Sequence, residues 1–410
     1  MEKFNLRHLR AFRQVARCGG VSAASDKIFL SQPAITQALA KLEISLGTSL
    51  FVRKSTGMFL TEAGTIFYGR VDRSLEMLAV GAKRGARAAV KGRSAGFQNF
   101  DQLLTTAQLR SFLALCDAGN YSWAARNLGI SRPSVHRSIN DIERIAGFTM
   151  FIKTAHGFEL TQSGEVFRRS VMLAFEELRQ GLEEIDFLLG QDTARIVVGS
   201  LPLARSFILP QVINEITKHR PEVSIIVRDG SYTDLLHALR YGEIDILIGA
   251  LRSPVQVDDV EQEALFTDKL AIAARAGHPL AGKEKLDAKT LAQFPWVTPS
   301  PTIPTREQFD ALFGAADVNV PTQLVETSSL ILIRGLLVGS DRLTIISRHQ
   351  IAKELEDGIL VELDVSLAGF ERKIGIAKRL DWAPTKTQKR FVEMLHSVCS
   401  DLQANDRSVR

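Results

Sequence analysis

Residues 30–43 read LSQPAITQALAKLE, and how this stretch is read decides the fold of the N-terminal quarter. Ser31 is a natural N-cap, with a hydroxyl able to accept from an amide of the first helical turn. Pro33 suits that turn, because the N–H it lacks would be unpaired there anyway. Ile35, Leu39 and Leu42 recur at helical spacing on one side, leaving Gln32, Thr36, Gln37 and Lys41 on the other. Working backwards, Leu6, Leu9, Phe12, Val15 and Ala16 predict a helix that Gly19-Gly20 stops, and a short helix from Ser22 carries Ala23, Ala24 and Ile28. Working forwards, Gly47 ends the third helix near Ser45. Leu50–Arg53 and Met58–Leu60 predict two strands around Ser55-Thr56-Gly57, and Thr61 caps a long helix. Three helices followed by a two-stranded wing make a winged helix-turn-helix.

The pattern occurs twice. Sliding the sequence by 100 residues brings Leu9-Arg10 onto Leu109-Arg110, Phe12 onto Phe112, Ser31 onto Ser131 and Pro33 onto Pro133 without a gap. Glu43, Gly47, Phe51, Gly57, Thr61, Gly64 and Phe67 recur as Glu143, Gly147, Phe151, Gly157, Thr161, Gly164 and Phe167. The scaffold is repeated but the polar face is not. Gln32, Thr36, Gln37 and Lys41 become Arg132, His136, Arg137 and Asp141, and the wing keeps Lys153 and gains His156.

In helix-turn-helix proteins the second helix of the motif enters the major groove with its first residues at base edges. Gln suits a bidentate bond to adenine, and Thr offers a hydroxyl and a methyl. Arg53 and Lys54 on the wing would sit beside phosphates, which position without specifying. Charge distribution agrees. Residues 1–100 hold 16 Lys/Arg against 6 Asp/Glu, residues 101–190 hold 9 against 11, and residues 191–410 hold 26 against 29. The whole excess of the net +5 lies in the first quarter, as expected of a nucleic-acid-binding end.

Along its whole ordered length, copy one resembles the DNA-binding domain of LysR-type transcriptional regulators. The matching residues are Leu9-Arg10, Phe12, Val15-Ala16, Ala23-Ala24, Leu30 to Gln37, Leu42-Glu43, Leu46-Gly47, Leu50-Phe51, Arg53, Leu60-Thr61 and Ala63-Gly64. The resemblance implies base contacts from the start of the third helix and phosphate contacts from Ser31, Gln37 and Arg53. With Gln32, Pro33, Thr36, Lys41 and Lys54, these residues form the candidate site for double-stranded DNA. One departure is Thr56, where a basic residue is common in the family.

Members of the family normally carry one such domain. Copy two therefore has three readings: a second half-site reader, an unspecific DNA contact through Arg132 and Arg137, or a dimerisation module. Its candidate DNA contacts are Arg132, His136, Arg137 and Lys153. Its last helix, 162–189, bears a broad apolar stripe that includes Phe167, Val171, Phe175, Leu178 and Ile185. The family's linker helix is its dimerisation element, and Glu176, Glu177, Glu183, Glu184 and Asp186 would make an acidic outer face that repels phosphate. Dimerisation with some DNA contact is the expectation, in a homodimer or homotetramer. Residues 81–100, small and basic, read as a solvated linker between unit 1–80 and unit 101–190.

From about Arg195 the texture changes to short β-branched runs alternating with helices. Strands are predicted at Arg195–Gly199, Val223–Val227 and Ile244–Gly249, with helices at Arg205–His219 and Tyr232–Tyr241. This order predicts a parallel sheet wrapped by helices, and a second such set follows from Leu270. The expected fold is thus multidomain: two winged helix-turn-helix units, then an α/β two-lobed clamp like that of periplasmic binding proteins over 191–410. Lobe one is expected at about 193–265 and 347–400, lobe two at about 266–346, with crossings near Leu265–Asp268 and Ile345–Ser347. This half resembles the family's effector-binding domain at Val198-Gly199-Ser200, Gly242-Glu243-Ile244-Asp245 and Gly277-His278-Pro279-Leu280. An alternative keeps the clamp as a ligand-binding protein and leaves the second helix-turn-helix to oligomerisation alone.

Open α/β sheets bind ligands beyond the carboxyl ends of their strands, where helix N-termini favour anions. Ser200, Leu201 and Arg205 hold that position in lobe one; Thr298, Ser300 and Thr327 hold it in lobe two. These are the candidate contacts of a small, anionic effector. No nucleophile elbow, phosphate-binding glycine loop or His/Cys metal spacing is present, so no catalysis, metal or cofactor is expected. His278 in its Gly-His-Pro turn reads as structural. The three cysteines, Cys18, Cys116 and Cys399, read as reduced thiols. No apolar run reaches membrane-spanning length and no signal peptide is evident, so a cytoplasmic protein without membrane contact is expected.

Overall fold

The computed structural model describes residues 4–89, 96–97, 99–191, 194–255, 257–301 and 303–408. The chain divides into an N-terminal unit, residues 1–195 with the short 240–242 turn, and a C-terminal unit of 196–239 and 243–410.

The N-terminal unit opens with α1 (Leu6–Cys18), α2 (Val21–Ile28) and α3 (Gln32–Leu46). The wing β1 (Phe51–Lys54) and β2 (Gly57–Leu60) and the long α4 (Glu62–Ala88) complete copy one. After a tight turn at Phe100–Leu103 the order repeats as α5 (Thr106–Ala118), α6 (Tyr121–Leu128), α7 (Arg132–Ala146), β3 (Phe151–Thr154), β4 (Gly157–Leu160) and α8 (Gln162–Leu188).

Repetition extends to single bonds. Phe12 meets Phe51 and Phe67 with ring centroids 5.5 Å apart in each case, and Phe112 meets Phe151 at 5.5 Å and Phe167 at 5.4 Å. Glu43 accepts from the amide of Leu50 at 2.7 Å, as Glu143 accepts from that of Met150 at 2.6 Å, fixing where the wing leaves the third helix. Thr61 and Thr161 cap α4 and α8 by accepting from Gly64 and Gly164. Gly57 and Gly157 must be glycine: each has a strongly positive φ, and an added Cβ would lie 2.8 Å from the carbonyl oxygen of Gly19 and 2.4 Å from that of Gly119.

Three expectations are corrected here. The linker does not begin at Gly81, because α4 continues to Ala88. Nor is the apolar stripe of α8 left for a second chain. It packs antiparallel against α4 of the same chain, Arg70 meeting Glu177 and Glu184 while Gly81 meets Ser170. This contact keeps α4 helical past Gly81: Leu78, Gly81, Ala82 and Gly85 are all buried. The acidic residues of α8 are likewise not an open outer face. Glu177 binds Arg70 and Arg73, Glu184 binds Arg70, and Glu176 and Glu183 bind Arg179.

The C-terminal unit begins with β5 (Arg195–Ser200), a wide π-type turn at Ala204–Ile208 where a regular helical start was expected, and α9 (Leu209–His219). It continues with β6 (Ser224–Asp229), α10 (Tyr232–Arg240), β7 (Ile246–Ala250) and the 16-residue β8 (Val260–Arg275). Then follow α11 (Ala288–Leu291), β9 (Trp296–Thr298), α12 (Pro304–Gly314), β10 (Leu324–Glu326), α13 (Leu330–Val338), β11 (Leu343–Ser347), α14 (Ala352–Glu356), β12 (Leu360–Glu362), β13 (Glu371–Arg379) and α15 (Lys386–Ser408). Strand order is β10-β9-β11-β8-β13-β7-β5-β6, with β12 also on β8. β5 and β7 are parallel in one lobe, and β9 is parallel to β10 and β11 in the other.

The lobes join on β8. Its residues 260–269 pair with β13, and its residues 270–275 pair with β11 and β12. The expected first crossing near Leu265–Asp268 lies within this strand. The second was misplaced: Ile345–Ser347 stays in lobe two, and the chain returns to lobe one on β13. Residues 347–370 therefore depart from the expected lobe one assignment. Their apolar side chains explain this, since Leu363 is buried with Trp296 and Phe309 in the core of lobe two. Asp245 ties lobe one together. Buried, it accepts from the Val197 amide at 2.7 Å and from Gln388 Nε2 at 2.8 Å. Among the described residues no helix is long and apolar enough to cross a membrane.

Candidate functional site

The start of α3 and the wing frame one open groove. Gln32, Pro33, Thr36 and Gln37 line one wall, and Arg53, Lys54 and Ser55 line the other. Gln32, Thr36, Gln37, Arg53 and Lys54 are exposed, while α3 buries its opposite face in the core and β1 buries only its first residue, Phe51. Gln32 donates to Ser22 Oγ at 3.2 Å and Thr36 donates to the Gln32 carbonyl at 3.0 Å, so both side chains are held at the groove. Lys54 lies 5.3 Å over the Phe59 ring. Arg53 makes no ion pair among the described residues. Ser31 sits at the N-cap of α3 in extended conformation, and its hydroxyl makes no capping bond. Lys41, one turn beyond Gln37, is exposed and is not among the residues lining the groove. This is a cationic, polar cleft with a helix N-terminus in its wall, which favours anionic ligands bearing hydrogen-bonding edges.

Copy two presents a different surface on the same scaffold. Arg132, His136, Arg137 and Lys153 are exposed. His136 shares a 3.2 Å hydrogen bond with Asn140, and its ring lies 5.2 Å from that of Tyr121. Here Ser131 does cap its helix, accepting from Ser134. Sequence reasoning missed Trp123. It is 54% exposed on α6, with the Arg126 guanidinium 4.7 Å over its ring, and the signal was available: copy one has only Ala23 at that position.

In the C-terminal unit, Ser200 ends β5 and Leu201 follows it. Ser200 is buried, and its hydroxyl makes only a 3.3 Å contact with the neighbouring Leu201 carbonyl. Arg205 is already engaged, its guanidinium 2.8 Å from Asp229, so an incoming anion would have to displace that carboxylate. In lobe two the structure brings Thr298, the last residue of β9, together with Ser300 and Thr327 in the loops that follow β9 and β10. The Thr327 amide donates to the Thr298 carbonyl at 2.9 Å, and Arg306 bridges the Pro299 carbonyl and Glu326. Thr327 Oγ1 is spent on the Ser329 amide. Thr298 Oγ1 is buried and has no hydrogen-bond partner among the described residues.

Two further groups escaped the sequence reading. Arg252, just past β7, lies 4.7 Å over the Tyr232 ring; burial lowers its basicity. At the lobe junction buried Asp268 accepts from Ser347 at 2.6 Å and Arg372 at 2.8 Å, and Arg372 reaches on to Thr305 at 2.8 Å. These residues are 67 to 104 positions apart, so no local pattern announces them. His278 is a turn residue. Its Nδ1 accepts from the Leu280 amide, and burial holds its pKa below the usual histidine value.

Comparison with known proteins agrees with both halves. The family described as bacterial regulatory helix-turn-helix protein, lysR family, matches residues 6–65 and again 106–165, and the LysR substrate binding domain matches 189–400. The chain is 33% identical over 375 residues to the HTH-type transcriptional regulator GalR of Pseudomonas putida, covering 92% of each. It is 26% identical over 309 residues to the regulator PcaQ of Agrobacterium fabrum, covering 74% of this chain and 97% of that one. Among solved structures, a full-length OxyR variant from Pseudomonas aeruginosa has a TM-score of 0.54 at 22% identity, over 72% of this chain and 94% of that one. The LysR family regulator CbnR has a TM-score of 0.51 at 17% identity, over 71% and 98%. At these identities the structural likeness is one of fold.

Proposed function

Because this chain belongs to the LysR family of DNA-binding transcription regulators with an effector domain, we propose that the α3–wing groove is its promoter-reading site and that a small anion between the two lobes governs it. The groove carries this reading, because it gathers Gln32, Thr36, Gln37, Arg53 and Lys54 on one accessible surface. Gln32, Thr36 and Gln37 read base edges. Ser31, Arg53, Lys54 and Lys41 hold phosphates and set the register. Pro33, in the first turn of α3, leaves no N–H there to be satisfied.

The effector sits against Ser200, Leu201, Thr298, Ser300 and Thr327. The unpartnered, buried Thr298 hydroxyl supports this placement, since such a group costs about 1–3 kcal/mol unless a ligand or water satisfies it. A carboxylate or phosphate group on the ligand exchanges with Asp229 at Arg205. Ligand binding changes the angle between the lobes about the β8–β13 junction. A coupling of about 1–3 kcal/mol would alter DNA affinity roughly 5- to 150-fold. The working particle is a cytoplasmic homodimer or homotetramer that needs no cofactor.

A labelled duplex from the protein's own upstream region, titrated with the intact chain, tests the DNA half. Gln32→Ala with Gln37→Ala should lower preference for that duplex over a scrambled one by roughly ten- to hundredfold. Equal affinity of the unaltered chain for both would refute it. Calorimetric titration with a panel of small carboxylates and phosphate esters tests the effector half. A hit whose binding survives Thr298→Val and Ser200→Ala together would refute the placement.

A further inference from the structure

The contact between α4 and α8 joins two equivalent units in one chain, and it is reciprocal. A Cβ on Gly81 would meet Ser170 at 2.3 Å, and a Cβ on Gly181 would meet Arg70 at 3.1 Å. Positions 70 and 170, and 81 and 181, are equivalents in the repeat, so each copy uses the same patch toward the other. The Leu6 amide donates to Thr106 Oγ1 at 3.1 Å, a contact between two equivalent positions, as expected at an approximate two-fold axis. Isologous contact of this kind is how a symmetric dimer is built, and here a single chain supplies both halves.

Side-chain chemistry favours this unlike pairing over the two like ones. Arg70 is 5% exposed and reaches Glu177 at 3.0 Å, Gln180 at 2.8 Å and Glu184 at 2.7 Å. Were α4 to pair with another α4, Arg70 would face Met77, Val80 and Arg84, the residues equivalent to those three. An α8 pair would set Glu177 against Ser170 and Leu173, with no cation. Either arrangement leaves a charge buried and unpaired, a penalty that excludes wrong partners.

We propose that one chain carries a complete pair of DNA readers, and that its operator consists of two half-sites of different sequence. This rests on the DNA-binding reading above. Identical readers about a two-fold axis require an inverted repeat. These readers differ: α3 presents Gln32 and Gln37, which suit adenine, and α7 presents Arg132 and Arg137, which suit guanine. Both pairs are exposed.

The test is selection of duplexes from a randomised pool by the intact chain, repeated with Gln32→Ala/Gln37→Ala and Arg132→Ala/Arg137→Ala. The recovered site should have unlike halves, adenine favoured in one and guanine in the other. Each double variant should flatten base preference in one half only, by roughly ten- to hundredfold at the contacted positions. Arg137→Gln should move preference from guanine to adenine in that half alone, a gain that misfolding cannot produce. Recovery of an inverted repeat, with the copy-two variants leaving selection unchanged, would overturn the inference and leave DNA reading by copy one intact. No enrichment by the unaltered chain would overturn the DNA-binding reading itself.

Discussion

Replacing Gly81 with alanine gives a test whose sign depends on the α4–α8 contact. On an isolated helix Gly→Ala stabilises by about 1 kcal/mol. Here the new Cβ would lie 2.3 Å from Ser170 Cβ and 2.5 Å from its Oγ, against an ordinary carbon–carbon contact of about 3.5–4.0 Å. The Ser170 Cβ is fixed to the backbone of α8, so the helices must part by about 1 Å or more. Overpacking of this kind costs about 1–3 kcal/mol. Separation also stretches the bonds from Arg70 to Glu177 and Gln180, which places the cost near the top of that range. The net expectation is a loss of about 1–2 kcal/mol, opposite in sign to the propensity gain. Adding Ser170→Gly removes the opposing Cβ and should restore the loss, the propensity of about 1 kcal/mol gained at position 81 exceeding the roughly 0.5 kcal/mol lost at position 170. Hydrogen exchange of α4 and α8 peptides in the intact protein reads these energies locally. Stabilisation by Gly81→Ala alone, or additivity of the two changes, would refute the packing argument.

Four other outcomes follow from the same geometry. Arg53→Ala with Lys54→Ala should weaken DNA binding alike on specific and scrambled duplexes, and lower the slope of log affinity against log salt by about 1.8. An unchanged slope would place both residues off the phosphates. Thr298→Val removes a buried hydroxyl without a partner, so the ligand-free protein should unfold no earlier and gain up to about 1 kcal/mol, while effector affinity falls; calorimetry reads both, and a lower unfolding temperature would mean the hydroxyl had a partner. Glu43→Ala strips the acceptor from the Leu50 and Phe51 amides and should raise exchange across the wing by about 2 kcal/mol of opening energy, with Glu143→Ala acting likewise in copy two. Burial pushes the Cys399 thiol up to about 12 and raises that of Cys116 further. At pH 8 about one Cys399 in ten thousand is then thiolate, so labelling of either cysteine should await unfolding, and rapid labelling of the native protein would contradict this.

Much of the DNA-reading face was legible in the sequence because its determinants are local. A cap, a proline, three apolar residues at helical spacing and a glycine stop all fall within 17 positions, from Ser31 to Gly47. The repeat at a spacing of 100 was legible for the same reason. What α8 packs against was not. An apolar stripe states that a helix needs a partner, without saying whether the partner lies in the same chain, and the carboxylates that answer Arg70 stand 107 and 114 residues away. The linker was misread for a related reason: Gly81 and Gly85 look like breakers, yet they are the small residues that let two helices approach. In the clamp, the return to lobe one was placed too early. β12 is only three residues long, and Leu363 to Phe370 have no strand periodicity, so their burial in lobe two is decided by tertiary contact alone. The Arg205–Asp229 pair was invisible because nothing local distinguishes a free arginine from a paired one.

Footprinting the intact protein on its own upstream DNA, beside the Gln32→Ala/Gln37→Ala variant, tests the central claim most directly. The account predicts a protected segment for the unaltered protein whose α3-read half loses protection in the variant at equal concentration and salt. Protection that persists unchanged in the variant would show that the α3–wing groove is not where this regulator reads its promoter.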